Sequence, residues 1–123
     1  MSIDVPISEL IGKTLLSIVG KVGSEEIRFN TVDGEEYKMS HRQDCCESVS
    51  VEDICGDLND LVGLPISQAE EVASDKEGPL NEHDESYTWT FYKLATSKGR
   101  VTIRWYGSSN GYYSERVDFE RVG

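Results

Sequence analysis

Residues 87–105, YTWTFYKLATSKGRVTIRW, decide the fold class. Tyr87, Trp89 and Phe91 recur at every second position, and Tyr92 and Leu94 take the opposite parity. After a Lys98-Gly99 turn, Val101, Ile103 and Trp105 alternate with Thr102 and Arg104. A period of two with β-branched and aromatic residues is the signature of strands, and a Gly-containing break between two such runs reads as a hairpin. Apolar residues on both faces near Trp89 and Tyr92 predict a central or closed position for the first of these strands. The Ser-Ser-Asn-Gly turn at 108–111 leads to a last run in which Tyr113, Val117 and Phe119 share a face. The three pieces are expected to form an antiparallel meander.

Upstream, Ile27, Phe29 and Thr31 alternate with polar residues, Asp33-Gly34 supplies a turn, and Tyr37, Met39 and His41 resume the alternation. Such a pair between alternating runs predicts a hairpin whose two turn positions both have positive φ. Residues 14–22 read as a strand with Leu16 and Ile18 facing the core. Residues 48–54 read as another through Val49 and Val51, and residues 66–73 as a third. Two helical turns are expected. Ser8 would cap the first, which Gly12 ends; Asp57, with Asp60 as capping partner, would open the second, which Gly63 and Pro65 close. Residues 74–85 (SDKEGPLNEHDE) form an exposed acidic loop. The expected fold is mainly β or α+β. It is a twisted antiparallel sheet or partly open barrel of about seven to eight strands, with one or two short helices, in a single compact domain over residues 1–123.

Charge separates the chain into thirds. Its net charge is −11, yet residues 44–85 hold thirteen acids against Lys76 alone, while residues 86–123 carry three acids and six bases. A balance of this kind disfavours direct binding to nucleic-acid phosphates, which needs Lys and Arg to displace counterions. It favours steering towards a basic protein surface. No apolar run approaches the ~20 residues of a membrane span, and no basic-then-apolar leader opens the chain, so a cytoplasmic location is expected.

Three cysteines cannot all pair within one chain, and adjacent Cys45 and Cys46 are poorly placed to bond to each other, so free thiols are expected. His41, Cys45, Cys46 and Cys55 are the candidate zinc ligands, although a Cys-x-x-Cys knuckle is missing. Asp53, Asp57, Asn59 and Asp60 lack the alternation of an EF-hand loop. A Cys–His nucleophilic pair is disfavoured by Asp44, Glu47, Glu52 and Asp53, which favour the neutral thiol. No phosphate loop or nucleophile elbow is present, which leans away from an enzyme without deciding the question. The candidate partner-binding residues are Asp75, Glu77, Glu82, Asp84 and Glu85 in the acidic loop. Tyr106, Tyr112 and Tyr113 join them as the exposed aromatics around Asn110-Gly111, where Arg100, Arg104 and Arg116 also offer stacking partners.

Two stretches carry a resemblance. HRQDCCESVSVEDICGDLNDLVGLPISQAEE (41–71) and ESYTWTFYKLATSKGRVTIRWYGSSNGYYSERVDF (85–119) resemble an uncharacterised family of small proteins associated with bacteriophage and prophage genomes. The Asp-Cys-Cys-Glu and Gly-Asp-Leu segments are its marks, and the resemblance covers most of residues 12–119. Ser40 departs from it, standing where an aromatic residue is expected before the histidine. The resemblance implies a compact domain of phage origin and brings no activity, so it assigns no site residue. The expected function is a non-enzymatic acidic protein that binds a basic host protein, as a counter-defence inhibitor or nucleic-acid mimic. The alternatives are a small-ligand or metal-binding domain using His41 and the cysteines or the C-terminal aromatics, and a structural homo-oligomer.

Overall fold

The computed structural model describes residues 2–43, 45–74 and 78–122. Its strands are β1 (Ser2–Asp4), β2 (Leu15–Val19), β3 (Glu26–Thr31), β4 (Glu36–Ser40), β5 (Ser48–Cys55), β6 (Gln68–Ser74), β7 (Ser86–Thr96), β8 (Gly99–Ser109) and β9 (Asp118–Val122). They form two antiparallel sheets, ordered β1-β9-β4-β3-β2 and β5-β8-β7-β6. Among the described residues neither sheet closes into a barrel. The mainly-β expectation holds, and the nine strands build a two-layer sandwich.

The inner faces meet in one core. Phe29, Tyr37, Met39 and Phe119 come from the first sheet; Val51, Tyr92, Leu94, Ile103 and Trp105 come from the second. Tyr37 stacks on Phe119 with ring centroids 5.4 Å apart. The Trp105 indole N–H donates to Met39 Sδ at 3.1 Å, a polar contact that links the two layers.

The β7–β8 hairpin is the longest pairing, running from Ser86↔Ser109 to Thr96↔Gly99. Its inward residues are those the alternation predicts. The β3–β4 hairpin also forms, with Phe29 opposite Tyr37, but its turn differs from the expected one. Gly34 N–H donates to Thr31 C=O and Thr31 N–H to Glu35 C=O. Gly34 has φ +88°, and among the described residues no non-glycine has positive φ. This is a three-residue loop with a single left-handed glycine, so Asp33 avoids the conformation the sequence reading assigned to it.

Three other expectations are corrected. A bulge between Leu15 and Ser17 shifts the phase of β2, so Leu15 is fully buried while Leu16 is 65% exposed. Both helical turns are single 3₁₀ turns, Ile7–Leu10 and Leu58–Leu61. The first has Pro6 rather than Ser8 at its N-cap. The second keeps Asp57, whose carboxylate accepts from Asn59 N–H at 2.9 Å. Finally, the C-terminal meander stops after two strands. Both edges of β8 are occupied, by β7 and β5, so β9 crosses to the other sheet and pairs with β4 and β1.

Candidate interaction surface

Among the described residues β6 ends the second sheet and pairs only with β7, from Gln68↔Ala95 to Ser74↔Trp89. Its middle residues, Glu70, Glu71, Val72 and Ala73, are all exposed. The two glutamates fall on opposite faces, because side chains alternate along a strand. Glu70 lies across from Lys93 and Glu71 across from Tyr92. The fully buried Tyr92 hydroxyl donates to Glu71 Oε1 at 2.5 Å, which fixes that carboxylate at the sheet edge. Burial, then the bond to Glu71, pushes the Tyr92 hydroxyl far above the ordinary tyrosine range.

The chain after β6 enters the acidic loop. Asp75 and Glu77 lie outside the described residues. Residues 78–85 fold back over the outer face of the second sheet, where Trp89 and Phe91 stack 6.2 Å apart and Tyr106 meets Trp89 edge-on at 4.8 Å. Trp89 Nε1–H donates to Gly78 C=O at 2.8 Å, Leu80 N–H donates to the Tyr106 oxygen at 3.1 Å, and Tyr106 O–H donates to Asp84 Oδ2 at 2.5 Å. Arg104 lies over the rings of Trp89 and Phe91, at 5.0 and 5.6 Å, and approaches Asp53 at 3.7 Å.

This arrangement separates the candidate partner residues. Tyr106 is not at the surface: it is 7% exposed, because the loop uses its hydroxyl as an anchor. Asp84 is half-buried and bound to it. Glu82 and Glu85 remain exposed, and Glu82 pairs only loosely with exposed His83 at 3.9 Å. Tyr112 is 83% exposed and Tyr113 half-buried, their rings edge-to-face at 5.1 Å. The Asn110 side chain accepts from Tyr112 N–H and so shapes the turn.

The candidate metal ligands do not converge. The His41 side chain is buried; its Nδ1 lies 2.6 Å from the Arg116 carbonyl, which can only accept, so Nδ1 carries the proton. Its Nε2 faces Glu47 Oε2 at 3.8 Å. The chain bends at Cys45 and Cys46, and their sulfurs are joined, which corrects the expectation of free thiols there. Cys55 is free and exposed at the far end of β5, roughly 23 Å along the strand from its first residue, Ser48, at about 3.3 Å per residue. Among the described residues no three His, Cys, Asp or Glu side chains gather as a metal site.

Two clefts open between the sheets beside β6. One, of about 360 Å³, is lined by Glu71, Ala73, Thr88, Thr90, Arg116 and Val117 among others. The other, of about 340 Å³, is bounded by Asp4, Ile7, Asp118 and Phe119 and shares Glu71, Arg116 and Val117 with the first. Glu115 also lines the first, and its buried carboxylate accepts from Thr88 Oγ1 at 2.7 Å and Ser109 Oγ at 2.6 Å. The sequence reading did not single out Glu70 and Glu71. The signal for them was a pair of adjacent acids inside a strand pattern, where one side chain must face each side of the sheet.

No helix of the described residues is long and apolar enough to cross a membrane. No curated protein and no solved structure matches the chain. One family model does match, over residues 8–119: the chain belongs to DUF7448, a domain family of unknown function.

Proposed function

We propose that this protein is a non-enzymatic, phage-encoded interaction protein that binds a basic surface on a host protein in the host cytoplasm. In its sharp form it is a counter-defence inhibitor that presents carboxylates where the host protein expects phosphates. The observation that carries the reading is the confinement of charge: thirteen acids and one lysine within residues 44–85. Glu70 and Glu71 on β6, and Glu82 and Glu85 on the loop that follows, are exposed members of that set. Exposed carboxylates on β6 and on the loop that follows it would raise the encounter rate with a cationic partner and make the complex salt-sensitive. The phage origin rests on the resemblance of the two stretches quoted above.

The test is a pull-down from bacterial lysate with the tagged chain, washed at low and at high salt. A basic partner retained at low salt, shed at high salt and lost with Glu70→Lys/Glu82→Lys/Glu85→Lys supports the reading. Retention by the triple variant equal to the parent overturns it.

A further inference from the structure

We infer that the partner docks by strand addition. An extended segment bearing Lys or Arg pairs with the open edge of β6 and becomes the fifth strand of the second sheet. The inference deepens the proposed function and rests on its basic partner.

The argument begins with the backbone. Every second residue of an edge strand turns its N–H and C=O away from the sheet, and an open row of such groups is a template for another chain. The other edges are shorter or engaged along part of their length. The β5 edge is used at Val51, whose N–H and C=O bond to Ser24 C=O and Gly23 N–H. The start of β2 is bridged to Val62 and backed by Gly63 N–H, which donates to Leu15 C=O. β1 has three residues. Next to β6, Ile66 pairs with Ile11 and exchanges bonds with Gly12 and Lys13. The protein's own chain therefore occupies this edge as far as Ile66, the Ile7–Leu10 turn packs beside the strand, and among the described residues Glu70–Ala73 continue it exposed.

Side chains then select the occupant. An added strand places successive side chains on alternate faces, and cross-strand pairs of opposite charge are the favourable ones. Glu70 offers a carboxylate on the outer face. Glu71 offers one on the inner side, held in place by Tyr92 and opening on the 360 Å³ cleft with Ala73, Thr88 and Thr90. A cationic side chain at the matching position would meet Glu71 at the mouth of that cleft, which Glu115 and Arg116 also line. Main-chain bonds would supply affinity and these two carboxylates the preference for Lys or Arg.

The experiment titrates the ¹⁵N-labelled full chain with a nine-residue peptide of alternating Lys and Val. Two controls are run beside it: the same peptide N-methylated at alternate amides, and one of alternating Glu and Val. The expected result is binding by the first peptide with protection of alternate amides, the outward-facing ones, within residues 69–73. At least tenfold weaker binding is expected for the N-methylated peptide, and no binding for the acidic one. Glu70→Lys, a surface change on a side chain outside the core, should weaken the first peptide tenfold or more, and Glu71→Lys should do the same. Equal binding of the two Lys peptides, with shifts centred on Glu82 and Glu85, would overturn strand addition and leave a basic partner standing. Failure of all peptides while the lysate pull-down still holds a salt-sensitive basic partner would likewise sink this inference alone. Failure of both experiments would remove the proposed function as well. Protection of β6 amides without peptide, rising with protein concentration, would assign the edge to a second copy of the chain and overturn the inference.

Discussion

The outer faces of the two sheets solve the same problem in opposite ways. On the first sheet Arg28 bridges Glu26 at 2.6 Å and Glu36 at 2.7 Å, and Arg42 reaches Glu120 at 3.3 Å. Charges there are matched along and across neighbouring strands, and solvent covers the rest. On the second sheet Trp89, Phe91 and Tyr106 replace the charges, and the acidic loop covers part of the rings through the Gly78, Leu80 and Asp84 contacts. The difference teaches where the acidic excess is used. The first face neutralises its own charge. The second anchors a loop that carries unmatched carboxylates outward, next to an open strand edge.

Breaking the second face should have the largest effect. Trp89→Ala removes an indole that is 4% exposed, together with its packing on Phe91, Tyr106 and Arg104. A loss of about 3 kcal/mol is expected from large-to-small truncation at a buried aromatic, read by urea denaturation. A change near zero would mean that the loop is not seated on the ring. Tyr106→Phe keeps the ring and deletes the hydroxyl that joins Leu80 and Asp84. It should cost about 1–2 kcal/mol, the range for buried groups left without a partner. Amide exchange should quicken in residues 78–84 while the β7–β8 hairpin stays protected.

The same hydroxyl gives an alkaline signature. Burial, then the bond to Asp84, pushes Tyr106 up to about 12, with the Leu80 amide pulling the other way. An unfolded tyrosine titrates near ~10, so the unfolded chain gives up this proton first. Its contribution is therefore complete below pH ~10 and is lost as the pH rises towards about 12. Tyr92 and Tyr37 are also raised, mainly by burial, and act with the same sign. Unfolding followed against pH should be less steep above pH 10 in Tyr106→Phe than in the parent. Identical slopes would remove Tyr106 from the account.

The smallest effect should come from the first face. Arg28→Ala breaks two exposed ion pairs, which side-chain entropy and solvent screening nearly cancel. The urea midpoint should barely move, and the small difference should vanish in 0.5 M salt. A shift as large as that of Tyr106→Phe would show that the two faces are not as different as their contacts imply.

Legibility followed the range of the interaction. The β7–β8 and β3–β4 hairpins could be read because each is closed by a few residues and because a buried face imposes its own period. The same local chemistry revealed Asp57 as a cap. The bulge in β2 could not be read, since Leu15 and Leu16 are chemically alike and only the core decides which one enters. Tyr106 was expected at the surface because it sits beside a polar turn, whereas the loop that buries it lies some twenty residues upstream. Cys45 and Cys46 were read as free because adjacency argues against bonding until a bend brings the sulfurs together.

Alternation, turn residues and charge placement are local properties of the chain. They determined that this protein is built of antiparallel strands and that its negative charge gathers in the middle third. Tertiary structure alone decided that there are two sheets and that β9 leaves β8 for β4. The reason is that a strand has only two edges, and both edges of β8 were already filled. It also decided that β6 is left with an open edge between two glutamates, because which edge stays unpaired is settled only after every other strand has found its neighbours.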